Sequence, residues 1–341
     1  MTAQGRRRAS ALLLLIALLL LPACSPRQVA HSRSFFVMDT VVTVTLYSAS
    51  AKAAEEALTL AKHHLEEMDA LWSRHRDSGD VARINAAEAV CEGLDARTAA
   101  LLRKAQDVSL KTGGCFDVTL APVSDLWSQC AEEDRLPTEQ ELTAALALTG
   151  SDRFTLTGQT LTKPLGMMLD LGGIGKGEAI SSLIPLLRSE EISGGLISFG
   201  SNVAVFGSKP DGSPFLVGIR DPQNSASTLG TLPLPDGTVL SVSGDYERYL
   251  TVQGERYHHI LDPNSGHPSR SGLSSAVVLC ADGGLADALS TALLVMGKEA
   301  ALALHASGVY SFEAVLISSE GEITLTSPSV GFEPTDQVYH F

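Results

Sequence analysis

Leu169-Asp170-Leu171-Gly172-Gly173-Ile174-Gly175-Lys176-Gly177-Glu178 is the stretch on which the fold turns: an apolar strand runs into four glycines and a lysine at the start of a helix. Glycines let an anionic ligand approach the backbone, free N–H groups and the helix dipole face it, and Lys176 adds charge. A tight structural turn is the alternative reading of the same residues. The segment is not a Walker A loop, because Gly177 is followed by Glu178 instead of Lys-Ser/Thr. Nor does it have the G-x-G-x-x-G spacing of a Rossmann βαβ unit. The two commonest parallel α/β phosphate-binding folds are therefore set aside.

Outward from this loop the texture differs on the two sides. On its N-terminal side, Ala54, Leu58, Ala61, Leu65 and Met68 recur at helical spacing and predict an amphipathic helix from 51 to about 71; a second covers about 96 to 112 before Gly113-Gly114. From 156 onward, short strands are punctuated by Gly, Pro and Asp-Gly, with expected strands at 165–171, 195–206, 215–219, 238–242, 248–253 and 276–279. Asp211-Gly212 and Gln253-Gly254 read as hairpin turns. Single helices are expected at about 178–189 and 285–296. Runs of strands with helices set apart from them predict an α+β fold.

The first residues address the compartment. Arg6, Arg7 and Arg8 precede an apolar run from Ala11 to Leu21 that ends in Leu21-Pro22-Ala23-Cys24. A spanning helix needs roughly 20 apolar residues, so this shorter run reads as a lipoprotein-type signal, 1–23, removed ahead of a lipidated Cys24; a Cys that merely lies near an ordinary signal cleavage site is the alternative reading. Several acyl chains on one cysteine give stable anchoring. Residues 24–33 are expected to form a tether, and the length of 34–341 suits one large domain or two intimate lobes. Without 1–23 the chain keeps 22 Lys+Arg against 39 Asp+Glu, a formal charge of −17 over 318 residues. Such a surface repels nucleic acid, so the expected partners are small molecules, cations or proteins. Cys91, Cys115, Cys130 and Cys280 match no zinc spacing and define no disulfide pairing.

Three further segments carry chemistry. Asp287 and Thr291 stand four apart on a helix after Gly283-Gly284, which puts a carboxylate and a hydroxyl on one face. That pair suits magnesium, and an Asp near a helix start also compensates the dipole. Ser243-Gly244-Asp245-Tyr246-Glu247-Arg248 leads to Tyr257-His258-His259-Ile260-Leu261-Asp262-Pro263, where a histidine beside acids could serve as general base or simply sit on an exposed hairpin. In Gly113-Gly114-Cys115-Phe116-Asp117-Val118-Thr119, Asp117 could hold the polar edge of a ring or cap the next segment.

In this order the segments resemble the ApbE family of FAD:protein FMN transferases over nearly the whole mature chain. Met38-Asp39-Thr40, Trp72-Ser73-Arg74, Gly200-Ser201-Asn202, Val217-Gly218-Ile219-Arg220-Asp221-Pro222 and Ala286-Asp287-Ala288-Leu289-Ser290-Thr291-Ala292 join the motifs quoted above. The chain departs from the commoner family pattern at Asp39, Trp72, Cys115 and Ser201. The resemblance implies an ApbE-like two-lobed fold with mixed or antiparallel sheets flanked by helices, and FAD in the cleft between lobes. It also implies FAD as substrate, with its pyrophosphate against Asp170, Lys176 and the 172–177 backbone. Met38 and Trp72 would contact the rings, Cys115, Phe116 and Asp117 the adenosine half, and Ile260 and Leu261 would line the pocket. Magnesium would be held by the Gly173 carbonyl, Asp287 and Thr291. FMN would pass to a Thr or Ser hydroxyl of an acceptor flavoprotein subunit of an exported or membrane redox complex, with His259 and Asp287 catalytic. The implied location is the periplasmic or extracytoplasmic side of a bacterial membrane. A magnesium-dependent FAD pyrophosphatase and a non-catalytic flavin-binding lipoprotein are the rival readings.

Overall fold

The computed structural model describes residues 27–224 and 226–335; the expected signal segment and Cys24 lie outside them. The strands, in chain order, are β1 (Val29–Val37), β2 (Thr40–Ser48), β3 (Val90–Cys91), β4 (Thr155–Thr157), β5 (Thr160–Thr162), β6 (Ile192–Phe199), β7 (Asn202–Gly207), β8 (Phe215–Arg220), β9 (Thr228–Leu234), β10 (Val239–Gly244), β11 (Tyr249–Val252), β12 (Glu255–His258), β13 (Leu273–Cys280), β14 (Glu313–Ser318), β15 (Ile323–Leu325) and β16 (Glu333–Pro334). The helices are α1 (Ala51–Trp72), α2 (Asp80–Ala86), α3 (Ala96–Lys111), α4 (Ala121–Glu132), α5 (Glu139–Leu146), α6 (Gly175–Leu187), α7 (Gly283–Met296) and α8 (Lys298–Ala306).

The fold is α+β. An eight-stranded sheet in the order β1-β2-β6-β7-β10-β13-β14-β15 forms its centre, and every strand pair among the described residues is antiparallel. All eight residues of β13 are buried. Alternation along the strand explains this: Ala276 and Val278 join the apolar cluster that includes α1, α6 and α7, whereas Val277 and Leu279 join a second cluster with β8 and β9. Helices thus cover one face of the sheet and the three-stranded sheet β16-β9-β8 covers the other. A third, smaller cluster holds Val123, Trp127, Leu142 and Leu261. No helix among the described residues is long and apolar enough to cross a membrane. Cys91, Cys115, Cys130 and Cys280 are all free thiols.

Several expectations are corrected. Residues 29–33, read as tether, are already sheet: Val29 pairs with Ser48 and Arg33 with Val44, because the alternation of β2 supplies a partner along its whole length. Segment 165–171 is not a strand. Its backbone bonds go to side chains and to one distant carbonyl instead: Asn85 brackets Leu169 with bonds of 2.7 and 2.9 Å, Lys163 Nζ donates to the Met167 carbonyl at 2.8 Å, and the Asp170 N–H donates to the Val118 carbonyl at 2.7 Å. Segment 195–206 is two strands, reversed at Gly200-Ser201, where Gly200 takes a φ of 62°. Gln253-Gly254 does close the β11–β12 hairpin, both with positive φ. Asp211-Gly212 turns between β7 and β8, which lie in different sheets. Helices α2, α4, α5 and α8 were not expected from the sequence, although Thr138 and Glu141 form a capping box at the start of α5.

The first turns of α6 and α7 touch backbone to backbone. A Cβ on Gly177 would collide with the Gly283 carbonyl oxygen, and one on Gly283 with the Gly177 carbonyl. Neither backbone can swing aside as a flexible side chain would. Gly177→Ala is therefore expected to destabilise the chain by about 3 kcal/mol or more, the upper end of overpacking costs. A denaturant titration checks this; an unshifted midpoint contradicts it.

Candidate active site

One cavity of about 650 Å³ collects residues from the β1–β2 turn, the end of α1, the 115–120 turn, the Gly-rich loop, the β6–β7 turn, the end of β10, the segment 243–250, residues 258–263 and α7. That volume lies within the usual range for small-molecule sites. Met38, Trp72, Cys115, Phe116, Asp117, Asp170, Gly173, Lys176, His259, Ile260, Leu261, Asp287 and Thr291 all line it. Residues separated by more than 250 positions in the chain are thereby brought to one place.

The loop that opens the site is shaped by its own side chains. Asp170 Oδ1 accepts from the Gly172 N–H at 2.8 Å, and Lys176 Nζ donates to the Gly172 carbonyl at 2.7 Å. Arg74 bridges from Asp125 to Asp170, the latter at 3.5 Å. Below the loop, Trp72 is 4 % exposed and its Nε1 donates to Thr98 Oγ1 at 3.2 Å. A carbon of the Trp72 indole lies beside Gly175, and one of the Phe116 ring beside Gly173. At the β1–β2 turn, Met38 and Asp39 take φ values of 48° and 57°, a left-handed pair that suits a two-residue hairpin but strains the bulkier Met38. Asp117 points its carboxylate back into the fold. Its oxygens accept from the N–H and hydroxyl groups of both Thr119 and Ser151, at 2.6–3.1 Å.

Asp287 is 5 % exposed, yet each of its hydrogen-bond partners is neutral: the Gly177 N–H at 3.0 Å, Asn202 Nδ2 at 3.3 Å and the Ser241 hydroxyl at 3.2 Å. Among the described residues no Lys, Arg or His forms an ion pair with it. A buried carboxylate without a countercharge is costly and fits a cation in its place. Beside it, Asn202 Oδ1 is a buried acceptor with no partner among the described residues. The Thr291 hydroxyl lies within van der Waals reach of the position that a Gly173 Cβ would take. A carboxylate, a hydroxyl and a nearby carbonyl are hard oxygen donors, so this set fits magnesium in chemistry.

Across the cavity, His259 Nδ1 stands 3.0 Å from the Arg248 carbonyl oxygen. A carbonyl only accepts, so Nδ1 carries the hydrogen and Nε2 keeps its lone pair. The ring opens onto the cavity but is enclosed by protein at longer range. That loss of water lowers its pKa to about 4, assisted by the charges of Arg248 and Lys176. Glu247 behaves in the opposite sense: desolvation raises its carboxyl above the usual range, against the pull of Arg220, Lys176 and Arg248.

Arg220, Arg248, Glu247, Ser241 and Asn202 were not singled out from the sequence as site residues. A usable signal existed for Ser241 and Ser243: two polar residues at strand spacing within an apolar run share one face and so demand a buried polar partner.

The comparisons agree with this architecture. The family model described as the ApbE family matches residues 38–316. The FAD:protein FMN transferase of Vibrio cholerae serotype O1 is 30% identical over 299 residues, 86% of this chain and 89% of that protein. The apo flavinyl transferase ApbE of Pseudomonas stutzeri superposes with a TM-score of 0.78 at 30% identity, covering 89% of this chain and 97% of that one. The ApbE protein of Thermotoga maritima superposes with the same TM-score at 28% identity, over 88% and 97% of the two chains.

Proposed function

Because the chain belongs to the ApbE family, we propose that it is a magnesium-dependent FAD:protein FMN transferase that works in the cavity described above. The observation that carries this reading is the meeting of the Gly-rich loop, the uncompensated Asp287 carboxylate with Thr291, and a neutral His259 around one space.

In this reading the FAD pyrophosphate lies against Lys176 and the backbone of 172–177, with Asp170 holding the loop open. Met38 and Trp72 border the rings, and Cys115, Phe116, Ile260 and Leu261 form the remaining wall. Asp117 supports the adenosine side indirectly, by tying residues 117–119 to 151. Gly173, Asp287 and Thr291 would hold magnesium. When bound, it supplies Lewis-acid polarisation of the pyrophosphate and offsets charge on the leaving AMP. The acceptor hydroxyl oxygen bonds to the FMN phosphorus, the bond from phosphorus to the AMP oxygen breaks, and the hydroxyl proton passes to His259 Nε2. The protein mainly positions and neutralises.

Residues 6–24 support export and anchoring through Cys24 on the outer face of a bacterial membrane, near an exported acceptor flavoprotein. Cys24→Ser is expected to shift the chain from the membrane to the soluble fraction on fractionation; retention in the membrane contradicts the anchor.

The test of function mixes purified protein, FAD, magnesium and a candidate acceptor, and follows AMP together with protein-bound flavin fluorescence. Both signals are expected. AMP alone makes the chain a pyrophosphatase, and neither signal makes it a flavin binder.

A further inference from the structure

The Thr291 hydroxyl ends a chain of side chains that runs away from the cavity into the core. Ser241 and Ser243, two apart on β10, share the sheet face turned toward α7. Ser290 Oγ donates to the Asp287 carbonyl oxygen at 2.8 Å; Ser243 Oγ lies 2.8 Å from Ser290 Oγ and 3.2 Å from Thr291 Oγ1. Ser290 is fully buried and Ser243 is 9 % exposed.

Each hydroxyl owns one hydrogen and two lone pairs. The Asp287 carbonyl can only accept, so the Ser290 hydrogen is committed there. The 2.8 Å contact between Ser243 and Ser290 must then carry the Ser243 hydrogen. Ser243 has none left for its other neighbour, so the 3.2 Å contact carries the hydrogen of Thr291. Ser241 Oγ also lies 3.3 Å from Ser290 Oγ, but with its own hydrogen on Asp287 Oδ1 and that of Ser290 on the shorter 2.8 Å contact to the Asp287 carbonyl, this contact is left without a hydrogen and does not reverse the order. The chain runs one way, from Thr291 to Ser243 to Ser290 to the carbonyl of Asp287.

We propose that Ser243 and Ser290 are positioning residues: they draw the Thr291 hydrogen away from the cavity and so present an oxygen lone pair to the divalent cation. The inference rests on the metal reading above. A hydroxyl that turns its hydrogen toward a cation repels it, whereas the fixed orientation binds without reorganisation.

The order of donors makes a specific demand. In Ser290→Ala, Ser243 loses its acceptor and its hydrogen turns to Thr291, whose own hydrogen is then displaced toward the cavity. Ser290 makes no hydrogen bond to Thr291, yet its loss is expected to matter at least as much as that of Ser243.

The test titrates Mn2+ into the purified full chain without FAD and follows free Mn2+ by electron paramagnetic resonance. Ser243→Ala and Ser290→Ala are each expected to raise the Mn2+ Kd about 10-fold, the lower end for residues that orient metal ligands. The double variant is expected to be no weaker than the weaker-binding single one, since the chain is broken only once. Ser243→Thr, which keeps the hydroxyl, is expected to bind Mn2+ as wild type, and in Ser290→Ala, whose side chain does not line the cavity, FAD affinity measured in EDTA is expected to be unchanged. If Ser290→Ala melts early, Ser243→Ala at the cavity wall carries the test. Wild-type Mn2+ affinity in folded Ser243→Ala, or additive losses in the double variant, overturns the proposal. A wild-type chain that binds no Mn2+ overturns the metal reading itself.

Discussion

Asp287→Ala is expected to abolish magnesium-dependent AMP release, with a fall in kcat/KM on the order of 1,000-fold or more. The size follows from what the side chain does. It is the one carboxylate in the proposed magnesium set, and a metal that stabilises transition-state charge by several kcal/mol contributes about tenfold per 1.36 kcal/mol. The structure adds a consequence for stability. In the wild type a 5 % exposed carboxylate rests on neutral donors alone, so a bound cation relieves an uncompensated charge. Saturating magnesium is thus expected to raise the melting temperature of the wild type, by the equivalent of about 2.7 kcal/mol at one hundred times its Kd. The Asp287→Ala chain is expected to show no such rise. Thermal scans with and without magnesium read this independently of turnover. Unchanged AMP release in a folded Asp287→Ala chain contradicts the assignment.

His259→Ala is expected to slow flavin transfer to an acceptor by roughly 100- to 10,000-fold, the range of a lost general base. AMP formed in the presence of acceptor is expected to fall in parallel. The pH profile identifies the group more sharply. A base works only when unprotonated, and enclosure of His259 lowers its pKa from 6.5 to about 4. Between pH 7 and 5 the ring stays neutral, so kcat/KM is expected to hold in that interval and to decline as pH approaches about 4. An ordinary histidine would already lose activity near 6.5. A decline centred near 6.5 that disappears in His259→Ala would refute the depressed value while keeping the role. Wild-type transfer by the variant removes the role.

Much of the fold was legible where local spacing decides it. The apolar period of residues 54–68 predicted α1 to within a residue, and the Gly113-Gly114 stop ended α3. The strand runs from 156 onward predicted the sheet-rich half and the α+β class. Segment 165–171 misled because an apolar run looks alike whether its backbone bonds go to a neighbouring strand or to Asn85, Lys163 and Val118. Helices α4 and α5 are short and pack through a small cluster with Leu261, so their pattern lies in the tertiary partner more than in their own period.

By itself the sequence determined the parts of the site that lie within one helical turn or one loop. The glycines and Lys176 stand at the start of α6, and Asp287 and Thr291 share a face of α7, because a helix repeats every 3.6 residues whatever surrounds it. The resemblance to one family came from the order of such segments. Only the tertiary structure decided their electrical and hydrogen-bonding state. Asn202 and Ser241 reach Asp287 from two strands of the central sheet, the Arg248 carbonyl selects the free nitrogen of His259, and Ser243 lies within hydrogen-bond distance of both Ser290 and Thr291. These contacts join residues up to 85 positions apart, where chain spacing carries no information. A proton's place is set by whichever acceptor the packed fold brings within about 3 Å.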